Sequence, residues 1–103
     1  MKINHYITRG ISEQLSLDLQ ILLWNMVKER DNQSHTYYLH IFKLQEDNNI
    51  LSITHEQERP AYKLEYHYTN YIKNQNVIPK KVYVIREDDV DAFYYVMLLL
   101  EEY

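Results

Sequence analysis

A chain of 103 residues, 46% of them apolar, has room for one domain spanning residues 1–103 and too much apolar side chain for general disorder. The absence of cysteine excludes a disulfide framework and a thiolate zinc site and fits a reducing cytoplasm. A formal charge of -4 argues against non-specific duplex binding, which depends on neutralising phosphates, and a single glycine leaves no glycine-rich phosphate loop.

Ile3 to Thr8 alternates in character and predicts a short strand, which Arg9-Gly10 ends, with Gly10 free to take a positive φ. Met1-Lys2-Ile3 does not open a signal peptide, because no unbroken apolar stretch follows the basic start. Ser16 to Arg30 has the clearest helical periodicity in the chain. On a helical wheel Leu15, Leu19, Leu22, Leu23, Met26 and Val27 form one stripe. Ser16 suits the N-cap, with Ser12 a competing start, and Asp18 against Lys28 and Arg30 suits the helix dipole. Asp31-Asn32-Gln33-Ser34 should end the helix, because these side chains compete for backbone hydrogen bonds. A second apolar row, Leu17, Ile21 and Trp24, lies roughly opposite the stripe. It is either core, covered by the N-terminal segment or a loop, or a surface for a protein partner, a second copy of the chain included.

Thr36 to Gln45 reads as a central strand, with Tyr37, Leu39 and Ile41 on one face and Tyr38, His40, Phe42 and Leu44 on the other. Glu46-Asp47-Asn48-Asn49 is a polar hairpin turn, and Ile50 to Glu58 returns with Leu51, Ile53 and His55 in phase until Arg59-Pro60. Tyr62 to Tyr68 alternates Tyr62, Leu64, Tyr66 and Tyr68 against Lys63, Glu65 and His67. Thr69 to Pro79 reads as a loop. Lys80 to Arg86 is a strand, Glu87 to Asp91 an acidic turn, and Phe93 to Leu100 the hairpin partner; a helix from Asp89 to Glu101 is the alternative that aromatic and β-branched content disfavours. The run Ala92 to Leu100 is too short to span a bilayer, so no membrane role is expected. The expected fold class is α+β: a mostly antiparallel sheet of about five or six strands packed against one main helix.

Several short segments carry a family resemblance: Thr8-Arg9-Gly10, Leu19-Gln20 with Leu23-Trp24, Tyr38 to Leu44, Gln57-Glu58-Arg59-Pro60-Ala61-Tyr62, and Met97 to Tyr103. In this order they resemble the domain of unknown function 960, a family of small Firmicute proteins, over nearly the whole chain. That resemblance implies an accessory protein of staphylococcal cassettes and related mobile elements, encoded near genes of DNA metabolism, and it implies no activity. Where the family's turn before the last strand has glycine, this chain has Ile85-Arg86-Glu87-Asp88-Asp89, so that turn is expected to be longer or differently shaped.

Candidate chemistry is sparse. The five histidines, His5, His35, His40, His55 and His67, show no helical i, i+4 pairing and no HExxH pattern, although His40 and His55 could meet across the first hairpin. Polar residues on a sheet face are the simpler reading, so no metal and no cofactor are expected. The carboxylates Glu87, Asp88, Asp89 and Asp91 read as a solvated turn, because acid–base catalysis also requires a pocket. No nucleophile motif surrounds Ser12, Ser16, Ser34 or Ser52. The chain is therefore expected to be non-enzymatic and to bind another macromolecule. The first reading is a protein partner, met by Leu17, Ile21 and Trp24 or by Glu87, Asp88, Asp89 and Asp91, whose carboxylates, with Glu56, Glu58 and Glu65, can imitate phosphates. The alternative is single-stranded nucleic acid, stacked on Tyr66, Tyr68 and Tyr71 and held by Lys63, Lys73, Lys80 and Lys81.

Overall fold

A computed structural model describes residues 4–33, 38–58, 61–69, 78–88 and 93–103. The elements are β1 (Asn4–Ile7), α1 (Arg9–Gln14), α2 (Leu17–Gln33), β2 (Leu39–Asp47), β3 (Ile50–Gln57), β4 (Tyr62–Tyr68), β5 (Lys81–Asp88) and β6 (Phe93–Leu99), with a closing 3₁₀ turn at Leu100–Glu102. They form an α+β fold in two layers. Six strands make one mixed sheet in the order β1-β6-β5-β2-β3-β4, antiparallel except where β1 runs parallel to β6.

α2 supplies the helical half of the core. Leu19, Leu23, Met26 and Val27 are buried on Phe42, Leu51, Ile53, Val82, Val84, Met97 and Leu99 of the sheet. Ser16 Oγ accepts a hydrogen bond from the Leu19 amide at 3.3 Å, as expected of an N-cap. Leu15, at the head of the stripe, is buried just before the helix begins. The helix does not stop at Asp31 but continues to Gln33. Its Asp31 carboxylate accepts a hydrogen bond from the Tyr95 hydroxyl, so that side chain is drawn to the sheet and does not compete for the helix backbone.

Arg9-Gly10 is not a bend with positive φ. Both residues open α1, and no glycine has positive φ. Ser12 lies inside this helix, whose N-cap is Thr8; the Thr8 Oγ1 accepts from the Ile11 amide at 3.3 Å. Gly10 sits here at a close approach to two side-chain ends. A Cβ on it would lie 2.8 Å from Glu102 Cδ and 2.8 Å from Leu99 Cδ1. The Glu102 carboxylate accepts from Thr8 Oγ1 at 2.6 Å, from the Leu99 amide at 2.9 Å and from the Gly10 amide at 3.3 Å. These donors hold its carboxyl below the usual carboxylate range, with the Thr8 hydroxyl the main cause.

The strands follow their sequence phase. His40, Phe42 and Leu44 of β2, then Leu51, Ile53, His55 and Gln57 of β3, point under α2. The hairpin between them narrows to Asn48-Asn49, with Asn48 at φ 56°, a conformation asparagine tolerates. The predicted start at Thr36 and Tyr37 lies outside the described residues, and β2 begins at Leu39. Residues 93–99 are strand, not helix: Tyr95, Met97 and Leu99 are buried at a spacing of two. Glu87 and Asp88 extend β5, while Asp89 to Asp91, Arg59-Pro60 and most of the predicted 69–79 loop lie outside the described residues.

Thr8→Ala removes the α1 cap and one ligand of Glu102. It should cost about 1 kcal/mol of stability, read as a lower urea midpoint at unchanged m-value.

Candidate functional site

Two features of the fold could carry function: a polar cluster sealed beneath α2, and the sheet face that α2 does not cover. The cluster grows from the last turns of α2. Arg30, itself buried, donates from Nε to Gln57 Oε1 at 2.9 Å and lies 4.0 Å from the centre of the Tyr62 ring. Gln57 Nε2 donates to the Leu39 carbonyl at 3.4 Å. Asp31 binds the Tyr95 hydroxyl through one carboxylate oxygen, and the other lies 3.6 Å from His40 Nε2. Burial pushes the Tyr95 phenol up, and the bond to Asp31 adds to it.

His40 Nδ1 and His55 Nε2 stand 2.8 Å apart, and both rings are fully buried. Elementary charge logic favours one pair of tautomers. With its proton on Nε2, His40 turns an N–H toward the Asp31 carboxylate and leaves Nδ1 to accept from His55 Nε2–H. His55 Nδ1 is then a lone pair with no partner, and His40 Nε2–H, 3.6 Å from Asp31, feels the carboxylate without a hydrogen bond; the opposite assignment would bury an N–H on His55 Nδ1 and turn a lone pair toward the carboxylate. Phe42 stacks on the His55 ring at 4.4 Å. Desolvation, then the neighbouring His40 and Arg30, lowers the His55 pKa to about 3. His5 stacks on Tyr95 at 5.7 Å and meets Trp24 edge-on at 4.9 Å; burial, then Lys28, lowers its pKa as well.

The chain Asp31–His40–His55 resembles a proton relay, but it ends in a sealed core. His40 uses its two ring nitrogens toward opposite neighbours, so one ion cannot reach Asp31, His40 and His55 together. Among the described residues no group of three His, Asp or Glu side chains could hold a metal ion. The array serves as a polar rivet between α2 and the β2–β3 hairpin. Its sequence signal was the phase of His40 with Phe42 and Leu44, and of His55 with Leu51 and Ile53. The Arg30–Gln57 and Asp31–Tyr95 links had no such signal.

The uncovered face is ordered by register. Tyr6, Val96, Ile85 and Leu39 lie side by side across β1, β6, β5 and β2. The adjoining rung runs Leu98, Tyr83, Ile41, Glu56 and Lys63 across β6 to β4, and the next runs Lys81, Lys43, Thr54 and Glu65. Apolar side chains thus fill one half of the face and charges the other. Tyr103 packs edge-on against Tyr83 at 5.2 Å. Where the halves meet, Ile41, Tyr83, Lys43, Lys63, Lys81 and Glu56 line an open depression of ≈ 570 Å³. Lys43 pairs with Glu56 at 2.8 Å.

The sequence-selected residues are scattered over this frame. Leu17 and Ile21 are exposed, 67% and 49%, whereas Trp24 is partly buried against His5 and Tyr95. The second helical row is therefore split: its last member joins the core and the first two do not. Glu87 and Asp88 are exposed at the end of β5, and Asp89 and Asp91 lie outside the described residues. Tyr66 is 43% exposed and Tyr68 packs on the core edge, both on the α2 side. Lys63 and Lys81 stand on the opposite face, and Lys80 is exposed beside it, so the proposed tyrosines and lysines do not form one platform. Tyr71 and Lys73 lie outside the described residues.

Fold and site together define a small α+β protein in which, among the described residues, helices cover one face of the sheet. The chain belongs to the family of staphylococcal proteins of unknown function, DUF960, which it matches over residues 4–102. It is similar in fold to the crystal structure of a protein of unknown function from Enterococcus faecalis, at 17% identity and a TM-score of 0.79, over 98% of this chain and 91% of that one. No curated protein matches. No helix among the described residues is long and apolar enough to cross a membrane.

The lowered pKa of His55 makes stability acid-sensitive. Above pH 6.5 His55 is neutral in both folded and unfolded chains. Between 6.5 and about 3 only the unfolded chain takes the proton, so stability should fall by up to about 1.4 kcal/mol per pH unit and level off below. Chemical denaturation at several pH values checks this. The double change His40→Leu with His55→Phe should remove much of that slope, while His55→Phe alone strands His40 Nδ1 and should cost about 1–3 kcal/mol at pH 7.

Proposed function

We propose that this protein is a non-enzymatic, cytoplasmic accessory protein of a mobile element that acts by binding another protein, as an inhibitor or modulator of a host DNA-processing or defence enzyme. The observation that carries the reading is the pair of adjoining apolar rungs on the sheet face away from α2, where Tyr6 of β1 is exposed and Val96 of β6, Ile85 and Tyr83 of β5 and Ile41 of β2 are half-buried side by side. A contiguous apolar surface rimmed by charge is the ordinary form of a protein-binding site. Glu56 and Glu65 share that face, and Glu87 with Asp88 closes one end of it, so acidic groups are placed to meet a basic partner surface. The sealed position of His40 and His55 favours binding over catalysis, because no substrate reaches them.

Single-stranded nucleic acid is the second reading. It is favoured by Lys43, Lys63 and Lys81 around one depression beside Tyr83. Glu56 in the same wall, already paired with Lys43, weighs against it.

Ile85→Glu on the bare face tests the first reading. Affinity capture from host cells should recover a protein with the wild-type chain and lose it with the variant, at thermal stability within about 1 kcal/mol of wild type. Fluorescence anisotropy with labelled oligonucleotides decides the second. Tight binding that weakens steeply with salt and disappears in Lys43→Glu/Lys81→Glu would replace the protein-binding reading.

A further inference from the structure

β4 forms one margin of the sheet. Among the described residues it pairs with β3 alone, so the backbone on its other side meets no strand. It is seven residues long, alternates regularly and contains no proline, which leaves it open as a template for another strand. Its two faces are sorted. Leu64 and Tyr66, each 43% exposed, stand on the α2 side, and Lys63 and Glu65 stand on the bare face.

This order is complementary to itself. Lay β4 antiparallel to a second β4 about a two-fold axis at Leu64. Lys63 then falls beside Glu65 of the second copy, and by symmetry this happens twice. On the other face Leu64 meets Leu64, and Tyr62 meets Tyr66 twice. Opposite charges across strands and apolar pairs on one face are the pairings that stabilise a sheet. A two-fold at Glu65 would align all seven residues but set Glu65 beside its own copy, which disfavours it.

We propose that β4 is the contact strand of a homodimer, paired antiparallel about Leu64, which joins the two six-stranded sheets into one. The axis stands perpendicular to the sheet, so both helices lie on one side. Both bare faces lie on the other, as one continuous surface twice as wide. This inference stands apart from the protein-binding reading, but it would make that binding bivalent.

Sedimentation and light scattering of the full chain at about 100 μM test it, well above the dissociation constants of most specific dimers. The wild type should be a dimer. Lys63→Glu and Glu65→Lys each place like charges in both contacts and should weaken association at least about tenfold, with circular dichroism unchanged. Mixing the two variants should restore a heterodimer, because each supplies the charge the other lacks. A monomeric wild type overturns the proposal. So does a dimer indifferent to both substitutions, which would place the interface elsewhere, or a monomer that takes up a strand of some other protein. Loss of Ile85-dependent capture leaves these outcomes unchanged, so the two proposals fail separately.

Discussion

Among the described residues one long helix, α2, with the short α1 beside it, lies over six strands, and the widths do not match. A helix with its side chains is about 10–12 Å across, whereas six strands at about 4.8 Å spacing span about 24 Å. α2 therefore seals the strands beneath it, where Val84, Phe42, Ile53 and Met97 are fully buried, and cannot reach both margins. β1 stays exposed along its whole length, and Leu64 and Tyr66 of β4 stay open to solvent although they share the inward face. On the opposite face the described residues cover only one corner, where Leu98 is buried and Tyr103 packs on Tyr83. The surfaces proposed for binding and for self-association both follow from this shortfall.

The polar cluster fixes where that one helix sits. Apolar packing alone tolerates sliding of a helix over a sheet, whereas directional bonds do not. Arg30 reaches Gln57 on β3, and Asp31 reaches Tyr95 on β6, so the end of α2 is tied to strands on both sides of β5 and β2. His40 and His55 fill the space between these ties with a hydrogen bond between their buried rings.

The short segments that carry the family resemblance turn out to be contact points. Gly10 packs against Glu102, so the segments at the two ends of the chain meet. Trp24 meets His5 and Tyr95, and both Gln57 and Tyr62 meet Arg30. These residues describe how the fold closes. The rungs on the bare face and the edge of β4 lie mostly outside them, which separates the residues that build this molecule from those proposed to give it partners.

The sequence by itself determined which residues of each element share a face. The stripe of α2, the N-cap at Ser16, the phases of β2, β3 and β4 and the nearness of His40 to His55 all rest on local period and turn chemistry. Tertiary structure decided what lies across each face. It extended α2 through Asp31, because Tyr95 took the carboxylate that would have ended the helix, and it set Gly10 in a helix against Glu102. It paired β1 with β6 in parallel, a contact between the two ends of the chain that local pattern does not encode. It also left Leu17, Leu64 and Tyr66 uncovered, because period gives a residue its direction while only the width and position of the neighbouring layer decide whether anything meets it.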